Sequence, residues 1–477
     1  MRETYPLYLA SRPQQPNVDL VVHDKYRGTT MARVASADAE IVETAIAAAT
    51  AAFSRTRALP AYRRQGILNH VVAKIEARKE ELAEAVCLEA GKPIRDARAE
   101  VGRTVDTLRI AAEEAVRVRG EYDPLDISAR AEGCESILRR FPIGPCAFIT
   151  PFNFPLNLAA HKIGPAIAVG CPFVLKPASA TPISALLLGE ILAETEWPEG
   201  AFSILPCRPA IAAALVTDER IRKLSFTGSP AVGWAMKSKA GRKRVTLELG
   251  GNAPCIVDAD ADVAYAADRI TVGAFYQSGQ SCISVQRVIA HERVYDALKA
   301  ALVERALKLK AGDPRNEETF LGPLITEQDA VRVETWINEA VAGGAKLLCG
   351  GRRERSVISA AYLEDVAPTM RVSCQEVFGP VAVLERFSDF KAAVAAANAS
   401  EFGLQAGVFT KNLDHAWYAY NELEYGGVVI NDIPSFRVDS MAYGGVKASG
   451  FGREGVRFAM ADMTEPRLLV LSKVGRL

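Results

Sequence analysis

The chain has 477 residues, 49% hydrophobic and 24% charged, which is the profile of a globular protein too long for one core and sized for about three domains. Lys+Arg and Asp+Glu balance at 57 each, and no basic run is interleaved with aromatics, so nothing marks a binder of nucleic acid or of anionic membranes. No apolar stretch approaches the ~20 residues that span a bilayer, the charged, proline-bearing start is no secretion signal, and the nine scattered cysteines lack paired spacing, so a reducing cytoplasm is expected.

Beyond the polar start, Ser36 precedes a stretch with Asp38 and Glu40 in its first turn and alanine-rich helical spacing to Phe53, which predicts a helix. Longer helical patterns over 61–90 and 94–119 end at Gly91 and Gly120, each placed as a C-cap. From Arg139 the texture changes. Short apolar runs (FPIGPCAFIT, PFVLK, AFSILP, KLSFTGS) alternate with helical segments (PLNLAAHKIGPAIAVG, TPISALLLGEILAE, PAIAAALVTDERI, PAVGWAMKSKA), the signature of βαβ units around a parallel sheet. A second alternating block covers about 252–453, with strands near PCIVD, SVQRVIAH, PVAVLERF and GVVIN. The weakly hydrophobic segment before Arg139 and the terminal PRLLVLSKV are expected to form an accessory sheet, whose exposed edges suit pairing between subunits.

Open parallel sheets bind ligands beyond the carboxyl ends of their strands. Four such ends carry polar residues: Asn153 in TPFNFP, Lys176 in VLKPAS, Thr227-Gly228-Ser229 in SFTGS, and Glu248 before Gly250-Gly251 in LELGGN. Each also has a plain alternative: a turn-stabilising Asn, a solvated strand-end Lys, a helix-capping Ser, an exposed strand Glu. Cys282, in YQSGQSCISVQR, stands between a small polar turn and a β-branched run. It is either a small hydrophobe opening a buried strand or a nucleophile lifted into a cleft. The five histidines are isolated and no C-x-x-C occurs, so no metal is expected.

These motifs, with EVFGPV over 376–381 and GGVKASGFGREG over 444–455, occur in the order and approximate spacing of the aldehyde dehydrogenase superfamily. The chain resembles that family over nearly its whole length. The resemblance implies an α/β fold of two Rossmann-like parallel-sheet domains plus a small β oligomerisation element: 1–118 with 138–250 for the cofactor, 251–455 for catalysis, and 119–137 with 456–477 joining subunits into a homodimer or homotetramer. It implies NAD(P)-dependent oxidation of an aldehyde to an acid. Cys282 would be the nucleophile, Asn153 and the cysteine's own N–H the oxyanion donors, and Glu248 the base that activates water against the thioester.

NAD or NADP would be held by Thr150, Lys176, Ser179, Gly228, Ser229, Glu376 and Phe378, although no convincing G-x-G-x-x-G follows a strand. The shorter turn SFTGSPAVG at a helix start would face the pyrophosphate, Lys176 the adenosine ribose and Glu376 the nicotinamide ribose. NAD-preferring members often carry an acidic residue where this chain has Ser179, so NADP is expected to be accepted. Arg103 matches an arginine that holds the substrate's anionic end in non-phosphorylating glyceraldehyde-3-phosphate dehydrogenases, and Arg437 matches a second. That group's arginine directly before the cysteine is Ser281 here.

A small hydroxyaldehyde of the lactaldehyde or glyceraldehyde type, or an anionic aldehyde such as glyceraldehyde 3-phosphate, is the expected substrate. A succinate-semialdehyde type remains the alternative, as do a cysteine hydrolase and a non-catalytic derivative of the fold. Glu248 argues against a CoA-acylating member.

Overall fold

The structure, a computed structural model, describes residues 1–472. The first long helix is Ala39–Ala58, capped by Asp38, whose side chain accepts from the Ile41 N–H; it continues well past Phe53. The pattern over 61–90 is two helices, Ala61–Ala77 and Lys79–Ala90, separated at Arg78, where the backbone leaves helical geometry (φ −109°, ψ 22°). Gly91 caps the second in the left-handed conformation, φ 69°. Gly120 caps nothing. Helix Ile94–Ala115 stops earlier, because its buried stripe ends at Ala111, Ala112 and Ala115, and no apolar contact holds the charged residues beyond. Gly120 answers a different need, since a Cβ there would lie 2.3 Å from the Leu138 carbonyl oxygen.

Two large sheets follow. In the first, strands Arg244–Glu248, Lys223–Thr227, Cys146–Ile149, Phe173–Lys176 and Phe202–Ile204 run parallel in that order. Antiparallel edges come from Gly450–Phe451 on one side and from Leu7–Leu9 with Arg12–Gln14 on the other. Phe148, Phe173 and Phe202 stack across three neighbouring strands, at 5.7 and 6.0 Å. The second sheet has six parallel strands, among them Ala253–Val257, Val285–His291 and Val381–Phe387, with antiparallel Lys346–Cys349 at its edge. The α/β reading with parallel sheets therefore holds.

Register decides where the polar strand ends meet. Ile149 pairs with Lys176 and Phe226, and Thr227 with Glu248, so these carboxyl ends lie at one level. A third, antiparallel sheet joins Glu121–Pro124, Glu135–Pro142 and Thr464–Leu471, leaving Tyr122, Leu468, Leu469 and Val470 exposed. Residues 473–477, at the end of the expected oligomerisation element, lie outside the described residues. Among the described residues no helix is long and apolar enough to cross a membrane.

Candidate active site

Between the two sheets lies a cavity of about 230 Å³, with Asn153, Gly228, Ser229, Glu248, Cys282, Glu376 and Phe378 in its wall together with Arg103 and Arg437. Thr150, Lys176 and Ser179 are not part of that wall.

Cys282 reaches it from a turn, three residues ahead of strand Val285–His291. The turn is sharp because Gln277, Ser278 and Gly279 are successively left-handed, with φ 51°, 56° and 71°. For the two non-glycines that costs about 1–2 kcal/mol each. Side-chain bonds hold them there: Gln277 Nε2 donates to the Asn153 carbonyl, and Ser278 Oγ to the Gly322 carbonyl at 2.8 Å. Gly251 is required beneath the cysteine, because a Cβ would stand 2.2 Å from the Cys282 carbonyl oxygen. Burial, reinforced by Glu376 and Glu248, pushes the Cys282 thiol up to about 11, against Tyr443 and Arg437.

Asn153 is 4% exposed. It does stabilise its turn, its Oδ1 accepting the Phe154 N–H at 3.1 Å, while Nδ2 donates to the Gln280 carbonyl at 3.0 Å. An amide nitrogen carries two hydrogens, so one remains for a ligand. Glu248, the last residue of its strand, is buried rather than exposed, and both carboxylate oxygens lack a hydrogen-bond partner. Burial and then the neighbouring Glu454 raise its carboxyl well above the usual range.

Lys176 is buried rather than solvated, and burial lowers its pKa. Ser229 occupies the N-cap position of helix Pro230–Lys239, but its side chain makes no capping bond. Ser179 Oγ donates to the Cys207 carbonyl at 3.3 Å. Glu376 accepts the Gly251 N–H at 2.9 Å, and burial lifts its carboxyl to about 7.

Beside Arg103 and Arg437, several residues around the cavity are ones to which the motifs gave no role. Tyr443 Oη lies 3.1 Å from Cys282 Sγ. Glu454 sits inside the GGVKASGFGREG string and pairs with buried Lys162 at 2.6 Å. Burial opposes its ionisation, yet Lys162 leads the charges that hold it down to about 2. Asp439, 6% exposed, accepts Arg103 Nη2 at 2.7 Å and Nε at 3.4 Å and bonds His161 Nε2 at 2.7 Å. His161 looked isolated because its partner is 278 residues away. Arg437 lies over the Tyr443 ring, 3.6 Å from the centroid, and 3.4 Å from His161 Nε2.

The model of the aldehyde dehydrogenase family matches residues 12–469. The chain belongs to that family. It is 41% identical to the 3-sulfolactaldehyde dehydrogenase of Priestia aryabhattai over 98% of both chains. Aldehyde dehydrogenase 21 from Physcomitrella patens, solved with the reaction product succinate, superposes with a TM-score of 0.98 at 51% identity over 100% of both chains. NADP-dependent glyceraldehyde-3-phosphate dehydrogenase from Bacillus halodurans C-125, solved with NADP, gives 0.96 at 34% identity, covering 99% of this chain and 100% of that one. The chain is thus an NAD(P)-dependent aldehyde dehydrogenase.

Its own residues fit the dinucleotide. Thr150 Oγ1 is buried without a partner, Ser229 leaves the helix start uncapped, and Gly250 has no room for a side chain, since a Cβ would lie 2.2 Å from Glu376 Oε2. A helix start with free N–H groups attracts a pyrophosphate. Among the described residues no group of three or more His, Cys, Asp or Glu is arranged to hold a metal ion.

Proposed function

We propose that this aldehyde dehydrogenase oxidises a short aldehyde with an anionic far end, a carboxylate-bearing semialdehyde first and sulfonate or phosphate analogues second, with Cys282 as nucleophile. The observation that carries this is the single cavity in which Cys282, Asn153 and Glu248 meet two arginines, Arg103 and Arg437. The named relatives support it: one is solved with succinate, and the others are named for a sulfonated and a phosphorylated aldehyde.

The Cys282 sulfur adds to the aldehyde carbon, and the charge that develops on oxygen meets the second Asn153 Nδ2 hydrogen and the Cys282 N–H. Donors fixed in advance are worth most in a site shielded from water. Asn153 is so fixed, because Gln280 and Phe154 hold both ends of its amide. A nicotinamide dinucleotide would be held by Glu376 and Phe378 at its nicotinamide end, by Gly228 and Ser229 at the pyrophosphate, and by Thr150, Lys176 and Ser179 toward the adenosine end, and when bound it would supply the hydride acceptor. Glu248 then takes a proton from the water that cleaves the thioester. Its raised pKa makes it a strong base once ionised, so deacylation should quicken with rising pH.

At the far end, Arg103 gives Nε and one Nη2 hydrogen to Asp439, which leaves both Nη1 hydrogens for a substrate carboxylate. Ser281, also in the wall, adds a neutral hydroxyl where a third cation would favour phosphate. The exposed apolar edge of the third sheet supports assembly as a homodimer or homotetramer.

The test is a panel of succinate semialdehyde, 3-sulfolactaldehyde, lactaldehyde and butanal with NAD and NADP, plus mass spectrometry of the trapped enzyme. An acyl adduct on Cys282 and a preference for the anionic aldehydes are expected. Full activity of Cys282→Ala without an adduct refutes the assignment of the nucleophile. Equal turnover of butanal refutes the anionic substrate.

A further inference from the structure

We propose that Tyr443 is a further catalytic residue, its hydroxyl donating a hydrogen bond to the Cys282 sulfur in the thiolate form that attacks the aldehyde. This rests on Cys282 being the nucleophile and adds a partner that the motifs around the cysteine do not contain.

The arrangement is rigid. Tyr443 is 3% exposed, and its backbone is pinned by a reciprocal pair of hydrogen bonds with Glu454, at 3.0 and 2.6 Å. Its ring packs in a small cluster with Ile283, Leu404 and Cys282. Arg437 covers one face at 3.6 Å from the centroid. A cation over the ring draws electron density from the phenol and makes its O–H a better donor. The hydroxyl stands 3.1 Å from Sγ, within bonding distance for sulfur.

While both groups are protonated, either atom can donate. Once the S–H bond breaks, the proton leaves to solvent and the electron pair stays on sulfur. Only the phenol then has a hydrogen to give, and it keeps its own proton throughout. The other charged groups that act on the sulfur are Arg437, which favours the thiolate, and Glu376 and Glu248, which oppose it. Without the hydroxyl, Arg437 alone offsets the two carboxyls and the apolar cluster around the sulfur. A hydrogen bond that makes a thiolate more abundant also makes it less nucleophilic. With a Brønsted coefficient near 0.45, tenfold more thiolate loses only about threefold in reactivity, a net gain.

The test is alkylation of the full-length enzyme by iodoacetamide across pH, read at the Cys282 peptide by mass spectrometry so that exposed Cys374 does not interfere. In Tyr443→Phe, which keeps the ring under Arg437, the midpoint should rise by roughly one to two pH units. The rate near neutrality should fall about threefold or more. Incorporating 3-fluorotyrosine, a stronger donor, should move the midpoint down, and this arm decides the matter if the Phe variant fails to fold. An unchanged midpoint in either arm overturns the proposal. Faster alkylation of the Phe variant near neutrality also overturns it, because the hydroxyl would then be accepting from the thiol and holding it at rest. Neither result touches the assignment of Cys282, which its own Ala variant tests.

Discussion

Replacing Asp439 by Asn has two consequences of opposite sign. Loss of the negative charge leaves Arg103 less compensated. A unit charge about 6 Å away is worth about 3 kcal/mol at an effective dielectric constant of 20, and by itself this would tighten an anionic substrate. The Arg103 side chain is 28% exposed, however, so solvent cuts that gain to about 1 kcal/mol or less. Against it stands geometry. Asp439 fixes Arg103 through two contacts, at 2.7 and 3.4 Å, and is itself tied to His161 at 2.7 Å. A neutral Asn oxygen weakens all three, and bonds to charged groups are worth about 1.5–3 kcal/mol each.

Geometry therefore wins by about 1–3 kcal/mol, or roughly 5- to 150-fold in kcat/KM for an anionic aldehyde. Burial opposes ionisation of Asp439, but His161 and Arg103 hold its carboxyl well below the usual range, so it is fully charged at any assay pH near neutral. The measurement is steady-state kinetics with succinate semialdehyde and with butanal of equal chain length, alongside melting curves to verify the fold. The anionic substrate should lose and butanal should not. Better turnover of succinate semialdehyde, or equal losses for both substrates, would refute the positioning role.

Glu248→Gln should still acylate, giving a burst of reduced nicotinamide in stopped flow, but with slow turnover after it; a wild-type steady state counts against Glu248 as the base. The same variant has a signature in stability. A carboxyl whose pKa is raised on folding contributes stability below its unfolded value near 4.3 and loses it as pH rises through the folded value. Wild type should thus lose melting temperature relative to Glu248→Gln as pH rises above about 4, and parallel curves would contradict the burial of Glu248. For the cofactor, Ser179→Glu should weaken NADP binding selectively in titration calorimetry, and equal loss of NAD would argue against contact near the 2′-phosphate.

The sheets and several candidate site residues were legible because each is carried by a short local string at a strand end. Asn153 and Glu248 stand at strand ends, whereas Cys282 and Glu376, in loops ahead of their strands, were picked out only by the resemblance of their motifs to the family's. The surrounding charge network could not. Tyr443 is 161 residues from Cys282, and Asp439 is 278 from His161, and no periodicity links residues that meet only through tertiary folding. The break at Arg78 was hidden for the opposite reason, since apolar spacing continues on both sides of it and the backbone change at one residue leaves no mark in the pattern. Gly120 shows how a glycine placed like a cap can instead serve a close backbone approach. Lys176 and Glu248 were ambiguous as strand ends because exposure depends on neighbouring strands far along the chain.

The short strand Gly450–Phe451 follows the second sheet in the chain yet hydrogen-bonds to the strand that ends in Glu248. The chain thereby returns from the second sheet to brace the strand of the first that carries the base, so residues far apart in the sequence share in fixing where Glu248 stands.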